Sequence, residues 1–443
     1  MKLISDLKIK KIVYQGYGLG FSDYTPIFVP QSTPGDILDV QVVHKKKNVK
    51  FAKIVKIKKA SKYRNDAGCE VFGSCGGCDW LHIPYDKQLE YQEQIVREIF
   101  RDIEITTIED IGFPEQDKYY RNKSFYPLSL QNNNPVYGMF EKRSHNVIQH
   151  KNCLIQPELF DEICKVVVSY LKASNMRIYN EVTGKGNARH IGIRYSVATG
   201  EIIVILVTKN RKIPFSKQLV RVLNESFSNI VGVVQNINSR STNVILGDSD
   251  KILFGRDYIF DEINGMRYKL HYRSFFQVNS QVTSQLYNFV KRCLDEEKTV
   301  IDAYSGVGSI SINIANNVHR VIGIENNSNA VSDAKDNAKL NNVTNCTFIC
   351  SNVENVLDKI VVEENVNTII FDPPRKGLAR KITKNLPAFI KKIIYISCNP
   401  TTQFRDVKLL MQEGYKVKKM KPFDMFPHTY HFENVVVLER NET

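Results

Sequence analysis

The sequence has no apolar run long enough to cross a bilayer. Its longest runs, such as residues 202–207, fall far short of the ~18 residues a span needs. Its N-terminus alternates charged and apolar residues and builds no signal-type hydrophobic core. A soluble, unexported, cytoplasmic protein with no membrane partner is expected. Internal repeats of about 20–50 residues and low-complexity tracts are missing too, which excludes solenoids and arrays. With 42% hydrophobic and 24% charged residues, the composition lacks the signature of bulk disorder. Cysteine is sparse, at nine residues, and an odd number in an unexported chain argues against a disulfide framework.

What is present is size, uneven charge and a few motifs. At about 100–200 residues per domain, 443 residues allow two to four domains. The net charge is +14, and residues 1–63, with thirteen lysines against four aspartates, hold +9 of it. A basic head on a nearly neutral body points to a polyanionic partner. Six cysteines are scattered, but Cys69, Cys75 and Cys78 form C-x5-C-x2-C in a glycine-rich stretch.

Residues 7–58 read as short strands (9–14, 27–29, 37–43 and 50–56) separated by turn signals such as Pro34-Gly35-Asp36, which suggests a small β-barrel. No helix opens after Gly16, Gly18 and Gly20, so they read as a strand bend and not as a phosphate loop. Lysines crowd the closing half of this barrel, from Lys45 to Lys62. After Pro84, a helical pattern places Tyr85, Leu89, Val96, Ile99 and Phe100 on one face. Residues 119–260 alternate hairpin-like strands with one helix near 158–172, an α+β pattern whose strand order is not legible. From about 262 strands and helices alternate, with buried-strand runs at 299–303, 320–324, 346–350, 367–371 and 393–397. A parallel, doubly wound, Rossmann-like sheet is expected.

In such a sheet, ligands gather at the carboxyl ends of the strands. The first of these strands runs into Tyr304-Ser305-Gly306-Val307-Gly308, a turn whose glycines let backbone N–H groups approach a ligand. The next ends in Glu325, placed to accept hydrogen bonds from ribose hydroxyls. The loop lacks the third glycine of the dinucleotide fingerprint and no phosphate-grasping lysine follows it, so S-adenosylmethionine fits better than NAD or ATP. Asp372-Pro373-Pro374 ends the fourth strand. Amino-group methyltransferases follow this motif with a base-stacking aromatic, but here Arg375 follows. Cys398, in Ser397-Cys398-Asn399-Pro400, ends the fifth strand. Carbon 5 of uracil is a poor nucleophile, but a thiolate added at carbon 6 turns the ring into an enolate that can take a methyl group there. A base must then remove the carbon-5 proton so that the sulfur can leave. Glu433, before the last apolar strand and partly desolvated there, suits that role. His428 and His431 are expected to orient the loop.

Together these motifs resemble the RNA uridine-C5 methyltransferases, specifically the branch that acts on 23S rRNA and carries a TRAM domain and an iron–sulfur cluster. The resemblance rests on the basic barrel, the cysteine set, F-F-Q-V-N at 275–279, D-A-Y-S-G-V-G at 302–308, F-D-P-P-R-K-G at 371–377, S-C-N-P at 397–400 and the terminal H-x-x-H-x-E. It implies a multidomain α/β chain: an OB-like TRAM barrel over 1–60, an α+β central domain over 61–261 and a methyltransferase domain over 262–443. The helix near 85–100 is a candidate to pack on the last. It further implies Gln277, Tyr304, Glu325 and Asp372 as S-adenosylmethionine ligands, Cys398 as nucleophile and Glu433 as proton acceptor. Phe275 and Phe276 become candidates to stack an extruded uracil, at least one of them being expected in the core. Cys69, Cys75, Cys78 and Cys153 would hold a 4Fe–4S cluster, with zinc as the rival. Ser351-Asn352 departs from the acidic residue that many methyltransferases place near adenine. The alternatives are a transfer-RNA uridine methyltransferase, cytosine-C5 methylation and a non-catalytic iron–sulfur RNA-binding protein. A monomer acting on RNA is expected. The basic head makes RNA affinity steeply salt-dependent: deleting residues 1–63 should flatten a plot of log affinity against log salt, and an unchanged slope contradicts this reading.

Overall fold

The computed structural model describes residues 2–294, 298–384 and 386–440. Strand Leu3–Val13 points Ile4, Leu7, Ile9 and Ile12 inward. Register shifts between Ile4 and Leu7 and between Ile9 and Lys11 break its strict alternation. Such bulges bend a strand and raise its twist, and here the sheet closes into a five-stranded barrel ordered Leu3–Val13, Tyr17–Ser22, Thr25–Val29, Val49–Lys59, Ile37–Lys46. Tyr17–Ser22 corrects the bend expected at the glycines. Gly16 makes the turn, while Gly18 and Gly20 lie within a strand, where a Cβ on Gly18 would meet Ser32 at 2.0 Å and one on Gly20 the Lys8 carbonyl at 2.7 Å. Glycines that permit close packing also erase the apolar alternation that would have marked the strand.

The middle of the chain builds a seven-stranded sheet, ordered Ser249–Gly255, Ile230–Ile237, Ile202–Thr208, Ala188–Tyr195, Lys123–Gln131, Asn134–Phe140, Val147–Gln149. Helix Glu158–Ala173 is where its periodicity predicts. A second helix, Ser216–Ser226, was not expected; it buries only Leu219 and Leu223, too narrow a stripe to read.

The C-terminal sheet has eight strands, ordered Cys346–Cys350, Arg320–Glu325, Thr299–Ala303, Thr368–Phe371, Lys392–Ser397, Glu433–Arg440, Tyr415–Phe423, Ile105–Ile108. The first five are parallel, as the pattern predicts. The expectation of a wholly parallel sheet fails at Glu433–Arg440, which runs antiparallel between Lys392–Ser397 and Tyr415–Phe423. A buried apolar strand reads the same in either direction, so composition could not reveal this. Helix Tyr85–Ile99 also belongs to this layer: Tyr91, Ile95 and Val96 share a buried cluster with Ile393, Val417 and Met420.

Candidate active site

Four parallel strands finish at one end of the sheet and deliver Tyr304, Glu325, Asp372 and Cys398 there. The antiparallel strand adds the fifth group. Its register pairs Ser397 with Asn434, so the next residues, Cys398 and Glu433, face each other. A parallel strand would have sent Glu433 to the opposite end of the sheet.

On the cofactor side the chain turns sharply after Ala303, with positive φ at Tyr304, Gly306 and Gly308. Gly308 needs both that φ and its missing Cβ, which would sit 2.9 Å from Phe348. Glu325 accepts N–H bonds from Gly306 at 3.1 Å and Asn327 at 2.8 Å. Beside the loop lies a cleft of about 780 Å³, walled by Gly306, Val307, Glu325, Ala330, Ser274 and Phe275. The Ser305 hydroxyl is buried without a partner. Glycine-loop backbone, a carboxylate and an unsatisfied hydroxyl beside a cleft of ligand size are a donor and acceptor set that fits a nucleoside cofactor. Of the other expected ligands, Tyr304 donates its hydroxyl to Glu354 at 3.0 Å. Gln277 is buried, its carbonyl held by the Asn122 amide at 3.0 Å. Phe276 packs in the core against Tyr268, whereas Phe275 is 73% exposed on the cleft wall.

On the thiol side, the residues flanking Cys398 build the turn that holds it. The Asn399 side chain caps helix Pro400–Gln412 by accepting the Thr401 N–H at 3.2 Å, and Pro400 takes the first helical position, where its missing N–H is no loss. The Asn399 amide donates to the Arg375 carbonyl at 3.1 Å, tying this turn to the one after Asp372. The Cys398 side chain is half-buried and interacts with Arg375, Glu433 and Asp372. Burial and then the nearby Glu433 carboxylate push its pKa up to about 11, while the Arg375 guanidinium, hydrogen-bonded to it, opposes the rise. Burial and Asp372 hold the Glu433 carboxyl well above its usual range, again against Arg375, and one of its oxygens has no partner. Asp372 is raised to about 7 by burial and by Asp302 beneath the glycine loop. Close, dry carboxyls cannot all ionise. Burial and neighbouring charge thus make both the Cys398 thiol and the Glu433 carboxyl harder to ionise, and Arg375 opposes the rise in each.

Arg375 is the group that sequence reasoning undervalued. Directly after D-P-P it registered only as the absence of an aromatic, yet it serves both reactive groups. Tyr14 was missed altogether: it comes from the barrel, and its hydroxyl donates to Asn399 at 3.2 Å. His428 does hold the loop, through Gln88 and Asp117. His431 reaches Arg375 at 3.5 Å, and burial lowers its pKa to about 4, so it is neutral.

Away from this site, Cys69, Cys75, Cys78 and Cys153 are half-buried, unpaired and close enough to act on one another: burial raises the Cys78 thiol, and the other three raise it further. Gly77 aims its N–H at the Cys75 sulfur at 3.3 Å. Four thiols with an N–H donor to sulfur match the chemistry of an iron–sulfur ligand set. Among the described residues, no three metal-ligating side chains converge on a single point.

The opposed influences on Cys398 are measurable. Alkylation of its peptide by iodoacetamide, followed by mass spectrometry against pH, should reach half-rate at lower pH in Glu433→Gln and at higher pH in Arg375→Met; unmoved midpoints would contradict the geometry.

The sequence profile described as tRNA (Uracil-5-)-methyltransferase matches residues 84–441. A Bacillus cereus protein named as an uncharacterized RNA methyltransferase is 36% identical over 447 residues, with 99% of this chain and 96% of that one covered. A similarly named Listeria monocytogenes protein is 39% identical over 443 residues, covering 98% and 97%. Among solved structures, the Pyrococcus abyssi tRNA (uracil-54, C5)-methyltransferase in complex with S-adenosyl-L-homocysteine superimposes with a TM-score of 0.79 at 26% identity, over 98% of this chain and 100% of that one. With a thiol, a carboxyl and a guanidinium gathered at the end of the sheet that also carries the glycine loop, and with these likenesses along its length, the chain belongs to the tRNA (uracil-5-)-methyltransferase family of S-adenosylmethionine-dependent RNA methyltransferases.

Proposed function

We propose that the protein methylates carbon 5 of uridine in 23S ribosomal RNA through a covalent bond between Cys398 and carbon 6. The observation that carries the covalent mechanism is the antiparallel register that sets Glu433 opposite Cys398, with Arg375 acting on both; the choice of 23S rRNA rests on the resemblance carried by the basic barrel and the cysteine set. The thiol gives up its proton to solvent, with Arg375 stabilising the thiolate. The sulfur then bonds to carbon 6 of the extruded uracil, and the electrons of the carbon 5–carbon 6 double bond move toward the carbon-4 carbonyl as an enolate. S-adenosylmethionine, which Glu325 with Gln277, Tyr304 and Asp372 would hold, would supply the electrophilic methyl group that enolate carbon 5 takes up, leaving as S-adenosylhomocysteine. Once carbon 5 is methylated, the Glu433 carboxylate takes its proton, the double bond re-forms and Cys398 leaves as thiolate. Phase separation of roles follows the fold: Phe275, exposed on the cleft wall, stacks the uracil, and the lysine-rich TRAM barrel grips backbone phosphates. Cys69, Cys75, Cys78 and Cys153 would hold a 4Fe–4S cluster of structural or RNA-positioning role. The Gly77 N–H aimed at the Cys75 sulfur at 3.3 Å supports a thiolate-ligated group at this set, with zinc as the rival. The protein acts as a cytoplasmic monomer.

A transfer-RNA substrate is the second reading, favoured by the full-length likeness to the Pyrococcus tRNA enzyme. Mapping 5-methyluridine in ribosomal and transfer RNA from cells with and without the protein separates the two: loss from 23S rRNA alone supports the first, and loss from tRNA alone overturns it. In vitro, Cys398→Ala should reduce methyl transfer to background, and Glu433→Gln should trap a protein–RNA adduct on a denaturing gel; activity in the first variant or no adduct in the second contradicts the mechanism.

A further inference from the structure

Glu433 is positioned from outside its own domain. The loop before it contains His428, whose φ of +67° lies in the left-handed region that bulky residues avoid. Such strain persists only where the surroundings over-determine it, and here they do. The His428 carbonyl accepts two N–H groups, from Asp79 at 2.9 Å and Trp80 at 3.0 Å, while its own N–H donates to the Gln88 side chain at 3.1 Å. Two residues on, the Tyr430 N–H donates to Asp79 Oδ2 at 3.3 Å. The other oxygen of Asp79 pairs with Lys142. Fully buried Trp80 donates its indole N–H to the Gly16 carbonyl at 3.3 Å, and Tyr14 beside that turn meets the Tyr430 ring edge-on at 6.1 Å.

Asp79 and Trp80 directly follow Cys78. One short segment thus joins the cysteine-bearing lobe, the barrel turn and the loop that leads into Glu433. Cys398, by contrast, is fixed by the helix cap at Asn399, which Asp79 does not touch. We propose that Asp79 is a positioning residue for Glu433, through which the cysteine lobe sets the rate of the elimination step and not of the addition step. The proposal rests on the covalent mechanism above.

Step-specificity makes it testable. Full-length wild type, Asp79→Ala, Asp79→Asn, Lys142→Met and Glu433→Gln are given S-adenosylmethionine and whichever labelled RNA, ribosomal or transfer, the wild type methylates. Turnover, KM for the cofactor and the protein–RNA adduct on a denaturing gel are read for each. Asp79→Ala should lower turnover about tenfold or more, up to the ~100-fold that a displacement of about 1 Å of a catalytic group can cost, and accumulate adduct, with cofactor KM unchanged within about twofold. Asp79→Asn, whose amide oxygen can still accept the Tyr430 N–H, should restore turnover. Lys142→Met, at an exposed lysine, should show a smaller effect in the same direction and so keeps the test readable if Asp79→Ala folds poorly. Wild-type turnover in Asp79→Ala, or a parallel loss of adduct and turnover in both Asp79→Ala and Lys142→Met, overturns the proposal. Adduct in Glu433→Gln but in neither of those variants overturns it while leaving the covalent mechanism standing; no adduct even in Glu433→Gln overturns the mechanism and the proposal with it.

Discussion

A half-buried thiol and a buried carboxyl set opposite each other, with the Arg375 guanidinium acting on both, are the constraint on which the molecule depends. Each reactive group is costly to ionise alone: burial lifts both, and each carboxylate charge makes the next ionisation harder. That resistance suits a nucleophile needed only after a base has arrived and a proton acceptor needed only after a methyl group has. Arg375 keeps the charged forms within reach.

The architecture follows from keeping this pair in register. One antiparallel strand at the end of a parallel series brings Glu433 to the end of the sheet where the parallel strands deliver their ligands. The groups that support it come from distant parts of the chain. Tyr14 arrives from the barrel, Asp79 and Trp80 from the cysteine loop, and Gln88 from the helix that packs on the catalytic layer. A barrel attached only as a tether would have no reason to place a tyrosine against the cap beside Cys398.

Much of this was legible because local chemistry leaves local marks. Buried parallel strands announce themselves as apolar runs, and turns at their ends carry glycine, proline or a lone acid, so Glu325, Asp372 and Cys398 could be placed at strand ends from the pattern, while their roles came with the family resemblance. Strand direction leaves no such mark, which is why Glu433 looked like a residue before a strand and is instead buried within its first pairing. The strand at 17–22 was hidden by the glycines that let it pack, and the helix at 216–226 by an apolar stripe of two residues. Arg375 and Tyr14 were invisible for a different reason: their roles exist only where separate segments meet, and no spacing within one segment encodes that.

The central claim is that sulfur of Cys398 bonds to carbon 6 and that the reaction ends by removal of the carbon-5 proton. RNA carrying 5-fluorouridine tests it most directly, because fluorine at carbon 5 leaves no proton to remove. Incubated with wild-type protein and S-adenosylmethionine, it should yield a stable adduct whose mass places a methylated fluorouridine nucleotide on the peptide containing Cys398. Attachment to any other residue, or turnover without a covalent product, would contradict the account.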